Sequence, residues 1–219
     1  EISACLVGSE MCIRDRFQYI IAKECKGECF LVVYADDFIA GFQYPWEAER
    51  FYEQLRSRMA KFGLELEENK SRIVESGRYL ASLKAKRGES TRLGTFDFLG
   101  FTFYCGRTTK GNPWIMPKTS SKKFRQKVKE IKIWLYNNKE QKLGKLMYML
   151  NVKLVGHYRY YGISFNSRMI SNYKQQVREL LYKVLNRRSE KKSYTREGFI
   201  EMMKYYKLVN PKIYYSLFC

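Results

Sequence analysis

The apolar residues of this chain follow one rule before about residue 117 and another after it. Beyond Thr119 they return every three or four positions: Phe124, Val128, Ile131 and Leu135; then Leu143, Met147, Leu150, Leu154 and Tyr158; then Tyr173, Val177, Leu180, Val184 and Leu185; last Phe199 and Met203. That spacing lines one side of an α-helix, so four helices are predicted. Thr119 or Ser120 can cap the first, the fourth starts near Thr195, and Pro211 ends the helical part.

Before residue 117 the pattern is mixed. Phe30-Leu31-Val32-Val33-Tyr34 and Phe38-Ile39-Ala40-Gly41-Phe42 are apolar runs around a short acidic break, which predicts a β-hairpin. Phe51, Leu55, Met59 and Phe62 place a helix over 47–62, stopped by Gly63. Ser71–Glu75 reads as a short strand and 84–94 as a loop. A second strand pair is predicted from Phe96–Tyr104 and Trp114–Met116, across a turn at Lys110-Gly111-Asn112. The fold class is therefore α+β.

Charge divides the chain at the same place. Residues 1–116 hold 17 basic and 16 acidic side chains, whereas 117–219 hold 24 and 6. The excess of +18 in the second part exceeds the roughly 2–8 charges that solubility asks of a small domain. It points to a polyanionic partner such as nucleic acid. No run of 18 apolar residues is present, which excludes a transmembrane helix, and no membrane partner is expected. Of the six cysteines only Cys25 and Cys29 are close in sequence, and the single histidine, His157, is distant. That is not zinc-ligand spacing, so reduced, mostly buried thiols and a cytoplasmic location are expected.

Tyr34-Ala35-Asp36-Asp37 is the most informative tetrapeptide. Two adjacent carboxylates at a turn repel each other, and a divalent cation removes that cost. Mg²⁺ prefers carboxylate and phosphate oxygens, and the chemistry this suits is two-metal phosphoryl transfer. An acidic turn without any ion is the plainer reading of the same residues.

At this point the chain resembles the group II intron reverse transcriptase/maturase family. Cys25-Lys26-Gly27-Glu28 through Tyr34-Ala35-Asp36-Asp37-Phe38 is similar to its active-site hairpin. Lys61-Phe62-Gly63-Leu64-Glu65-Leu66 with Asn69-Lys70-Ser71-Arg72 resembles the next palm motif, and Phe96-Asp97-Phe98-Leu99-Gly100-Phe101 its primer grip. Gly156-His157-Tyr158-Arg159-Tyr160-Tyr161-Gly162 and Leu185-Asn186-Arg187-Arg188-Ser189 resemble its maturase-specific thumb. The likeness runs in one order over about 17–219.

It implies the C-terminal part of a palm, antiparallel strands with a packed helix, over 17–117, and an all-helical thumb over 118–219. It also implies RNA-directed DNA synthesis from deoxynucleoside triphosphates on a primer–template, with Mg²⁺, and binding of intron RNA to assist splicing. Asp36 and Asp37 would be the catalytic carboxylates and metal ligands. Lys70 would protonate leaving pyrophosphate, although a solvated lysine explains it equally well. Tyr34 and Ala35 would face the primer–template end, and Leu99-Gly100 the primer backbone, where a plain strand with a close backbone approach is as natural. Arg159, Tyr160, Arg187 and Arg188 would contact RNA, the arginines more than the tyrosine. Tyr158 and Tyr161 are equally core candidates, and His157 is expected to pack between helices.

Residues 1–16 do not resemble the family and read as a non-native N-terminus. The family's third carboxylate and its fingers would precede residue 17, so the chain is expected to be inactive alone. Asn210-Pro211-Lys212-Ile213 resembles the end of members without a nuclease domain, so no nuclease activity is expected. The alternative is a maturase-like RNA-binding splicing cofactor without polymerase activity. A place among other bacterial reverse transcriptases, such as those of retrons, is disfavoured by the maturase-like half. The sequence fixes no oligomeric state.

Overall fold

The structure is a computed structural model and describes residues 13–35, 37–67, 71–77, 80–88, 93–187 and 194–217. Two units are distinguished, Glu1–Leu99 and Gly100–Cys219. Among the described residues the first mixes strands with helices, and helices dominate the second, so the class is α+β.

In the first unit, residues 13–16 are helical and pass through a π-helical turn, Phe17–Ile21, into α1 (Ala22–Glu24). β1 (Cys29–Tyr34) and β2 (Asp37–Phe42) form the expected antiparallel hairpin. α2 (Pro45–Lys61) follows, opened by proline, whose missing N–H costs nothing at the first helical position. Gly63, at φ +67°, turns the chain out of it. The rings of Phe17, Phe42 and Phe51 meet at centroid separations of 5.2–5.9 Å and join the π-helical turn, β2 and α2.

Three local expectations are corrected. Ser71–Glu75 pairs into no strand. It is an irregular run tied to 94–95, where Arg72 donates to the Thr95 carbonyl at 2.9 Å and the Gly94 N–H to that of Glu75 at 3.1 Å. Part of the predicted loop 84–94 is helix: α3 spans Leu80–Lys86, because Leu, Ala and Lys are strong helix formers whatever their polarity, and Gly88 at φ +70° follows it. Phe96–Tyr104 is two strands rather than one. β3 (Phe96–Phe98) ends at Leu99 and Gly100, both at positive φ, +50° and +78°, which reverses the chain.

The second unit opens with β4 (Phe101–Arg107) and β5 (Pro113–Thr119), paired antiparallel from Phe101↔Thr119 to Arg107↔Pro113. The strand thus runs past Pro117 to Thr119. Four helices follow: α4 (Ser121–Asn137), α5 (Leu143–Tyr161), α6 (Ser167–Leu185) and α7 (Arg196–Tyr205). Ser120 caps α4 by accepting from the Lys123 N–H, and Thr195 caps α7 by accepting from that of Gly198. Ile131, Leu135, Leu150, Leu154, Tyr158, Val177 and Val184 lie in one buried core, as their spacing predicts. The segment after α7 lies along α5. Asn151 accepts from the Val209 N–H and donates to the Lys207 carbonyl, and the Gly162 carbonyl accepts from Tyr214 and Tyr215.

Candidate active site and nucleic-acid interface

The hairpin places Asp37 at one end and its anchors at the other. Tyr34 pairs with Asp37, and Ala35 turns the chain out of β1. Ala35 holds φ +47°, a conformation that costs an L-residue roughly 1–2 kcal/mol and gave no signal in the sequence. Phe30, Val32 and Tyr34 alternate to the exposed face of β1. Partners across an antiparallel ladder share a face, so Asp37 projects on the same side as Tyr34, and it is exposed. Asp36, Lys70 and Arg188 lie outside the described residues.

At the other end the chain is clamped. Glu47, buried to 3% exposure, accepts from the N–H groups of Lys26 at 2.6 Å and Gly27 at 3.3 Å. Gln43 accepts from the Glu28 N–H at 2.9 Å. In the sequence Glu47 is only the start of the helix predicted over 47–62, and nothing in that pattern told of its reach back over twenty residues. Cys25, Cys29 and Cys105 form no disulfide and are half-buried, less enclosed than expected. Burial, with a hydrogen bond to Cys29, pushes the Cys25 thiol up to about 11, so it stays protonated and a poor metal ligand near neutrality. Among the described residues no three His, Cys, Asp or Glu side chains converge on a point. Asp37 is a hard carboxylate oxygen donor open to solvent, which fits Mg²⁺ better than a soft metal.

In the second unit Gly100 is held closely. Its carbonyl accepts from the Ser120 N–H at 2.9 Å, and a Cβ there would stand 3.1 Å from the Tyr161 hydroxyl. Glycine thus suits both the φ and the space, since an added Cβ would press on the Tyr161 hydroxyl.

The cations of α4 are mostly open: Lys122, Lys123, Arg125, Lys129 and Lys132 are exposed. Lys127 instead pairs with Glu130 at 2.8 Å and holds that carboxyl below the usual range. Arg159 and Tyr160 are exposed at the end of α5, Tyr160 stacked near-parallel on Phe101 at 6.0 Å. Tyr158 and Tyr161 are core, and burial raises both phenols. Arg187 donates to the Tyr136 hydroxyl at 2.7 Å and lies over that ring, so any RNA contact it makes competes with a partner inside the protein. His157 stacks on Tyr173 at 3.7 Å, the packing role expected of it. Burial, with a smaller contribution from the Lys127 charge, lowers its pKa to about 4.

One residue with a central place had no sequence signal. Asn166 is fully buried, accepts from the Thr119 N–H at 2.8 Å, and donates to the Thr119 hydroxyl and the Tyr161 carbonyl at 2.9 and 2.8 Å.

Residues 10–103 match the family described as reverse transcriptase (RNA-dependent DNA polymerase), which makes the acid-bearing unit one of the reverse transcriptase class. Residues 121–206 match the group II intron, maturase-specific domain. With both domains in that order, the chain belongs to the group II intron reverse transcriptase/maturase family. The first match takes in 10–16, within the segment set apart above. No curated protein and no solved structure matches the chain. No helix among the described residues is long and apolar enough to cross a membrane.

Proposed function

We propose that the chain carries part of the catalytic centre of an RNA-directed DNA polymerase, together with a basic helical domain that holds intron RNA and assists its splicing in the cytoplasm. The observation that supports this best is the union, in one chain, of an acid-tipped hairpin with a maturase-specific domain. Asp36 and Asp37 would hold Mg²⁺, which supplies a Lewis acid for attack of the primer 3′ hydroxyl on a deoxynucleoside triphosphate. Tyr34 and Ala35 would border the primer–template end, Leu99-Gly100 the primer backbone, and Lys70 the departing pyrophosphate. Arg159, Tyr160, Arg187 and Arg188 would meet RNA. Domain limits of 17–117 and 118–219 belong to the same proposal.

Two neighbouring carboxylates supply only part of a two-metal centre, so the 219-residue chain by itself binds RNA without extending a primer. The test joins two assays on this chain. In filter binding, a group II intron transcript is retained, and affinity falls tenfold or more from about 50 to 200 mM salt, because several phosphates are neutralised. In primer extension on RNA with Mg²⁺, no product forms. Product that disappears in Asp37→Ala would overturn the inactivity, and salt-independent retention would overturn the RNA-binding role. A second reading, an RNA-binding splicing cofactor without polymerase chemistry, is favoured by the concentration of charge in the helical half.

A further inference from the structure

The outward face of α5 is unlike an ordinary solvated helix face. Lys145, Tyr148, Val152, Gly156 and Arg159 follow one another at steps of three or four and are all exposed, Tyr148 to 71% and Val152 to 56%. Residues so spaced form one stripe. The core face of the same helix holds Leu146, Leu150, Leu154 and His157, and another flank is covered by the segment that Asn151 and Tyr158 bind. The stripe itself is left uncovered by the rest of its unit.

Gly156 is its most telling member. Glycine within a helix costs roughly 1 kcal/mol relative to alanine, usually because a neighbour needs the space. Here a Cβ would meet nothing within 4 Å and the φ is not positive, so neither packing nor backbone requires it. The remaining use of a bare helix surface is close approach by something outside the chain.

The chemistry of the stripe describes that ligand. α5 carries no acidic residue from Leu143 to Tyr161. Cations stand at both ends of the stripe, separated along the axis by about 21 Å at 1.5 Å per residue. Between them lie an exposed aromatic ring, a branched aliphatic side chain and a gap. Cations for phosphates with a ring for bases is the arrangement that holds an unpaired strand, since a ring stacks only on a base that is free of its pair.

We propose that this face of α5 is a binding track for unpaired RNA, with Tyr148 as stacking platform, Gly156 as the point of closest backbone approach, and Lys145 and Arg159 as phosphate contacts. The proposal rests on the RNA-binding reading above and narrows it to single-stranded RNA on one helix face.

The test uses the full chain and a fluorescently labelled oligouridine, read by anisotropy, with an RNA hairpin of equal length as competitor. Tyr148→Ala weakens oligouridine binding about tenfold with little change in its dependence on salt, because stacking is not ionic. Tyr148→Phe retains most of the affinity. Gly156→Leu folds at least as well, since leucine is the better helix former and space is open, yet it weakens binding by a similar factor. Tyr205→Ala, which removes an even more exposed ring outside the stripe, leaves affinity unchanged. If the unaltered chain binds neither RNA, the general RNA-binding reading falls and this proposal with it. If it binds RNA but Tyr148→Ala and Gly156→Leu bind as tightly, the track alone is overturned. Preference for the hairpin over the oligouridine would overturn it too.

Discussion

His157 shows how a single residue can be placed correctly from sequence while its chemistry stays hidden. A lone histidine among the apolar positions of a helix predicts packing, and it packs, stacked on Tyr173 and 8% exposed. The cost of charging it follows from that enclosure. Its folded pKa of about 4 lies below the ordinary 6.5, so the folded state favours the neutral ring. Its contribution is fully present above pH 6.5 and is lost as pH falls towards 4. The stability of the helical unit should drop by about 2–3 kcal/mol between pH 7 and pH 4.5 on this account. Urea midpoints at the two pH values measure it. His157→Phe keeps a stacking ring without a titrating group, so its midpoint should change much less. An equal fall in that variant would assign the pH dependence to other groups.

Among the elements, those governed by a long period were legible and those governed by one or two backbone torsions were not. The three long helices of the second unit show their core faces in the sequence, because a repeat over seventeen or more residues outweighs local exceptions. The β1–β2 hairpin was equally plain, from two apolar runs around two acids. The turn at Leu99-Gly100 was missed because leucine rarely adopts positive φ and Gly100 sits amid a continuous apolar run. α3 was missed because one short helix of seven residues has no period to show. The same limit hid Asn166, whose partners lie 47 residues away at Thr119 and beside it at Tyr161. It joins the end of β5 to the passage from α5 to α6. Asn166→Leu keeps the volume but leaves the buried Thr119 N–H without an acceptor. The expected cost is about 3 kcal/mol, from one or two unsatisfied buried groups and three lost bonds. Thr119→Val removes only the hydroxyl and should cost less, about 1 kcal/mol. Chemical denaturation of both variants ranks them. The reverse order would mean that the hydroxyl, not the main-chain bond, holds this junction.

For the whole molecule, the asymmetry seen first as charge reappears as an asymmetry of core. Of the twenty buried apolar residues among those described, only Phe17, Ile21 and Leu55 belong to the first unit. Its β-hairpin exposes Phe30, Val32 and Tyr34 on one face, and a two-stranded ribbon by itself is marginal in water. The second unit encloses the other seventeen, with Leu135, Leu146, Leu150, Leu154, Val177, Leu181 and Val184 fully excluded from solvent. Burial of apolar area is the main source of stability, at roughly 25 cal/mol per Å². The two units should therefore not share one transition, and the acid-bearing unit should open first. In urea, amide hydrogen exchange read by mass spectrometry should show 29–42 losing protection at lower denaturant than 146–158 and 173–185. Fluorescence offers an independent view, since Trp46 lies in the first unit and Trp114 and Trp134 in the second. A Trp114→Phe/Trp134→Phe variant reports the early step, and Trp46→Phe the late one. Coincident transitions by both methods would mean that the two units unfold as one, and that Asp37 is held as firmly as the helical unit.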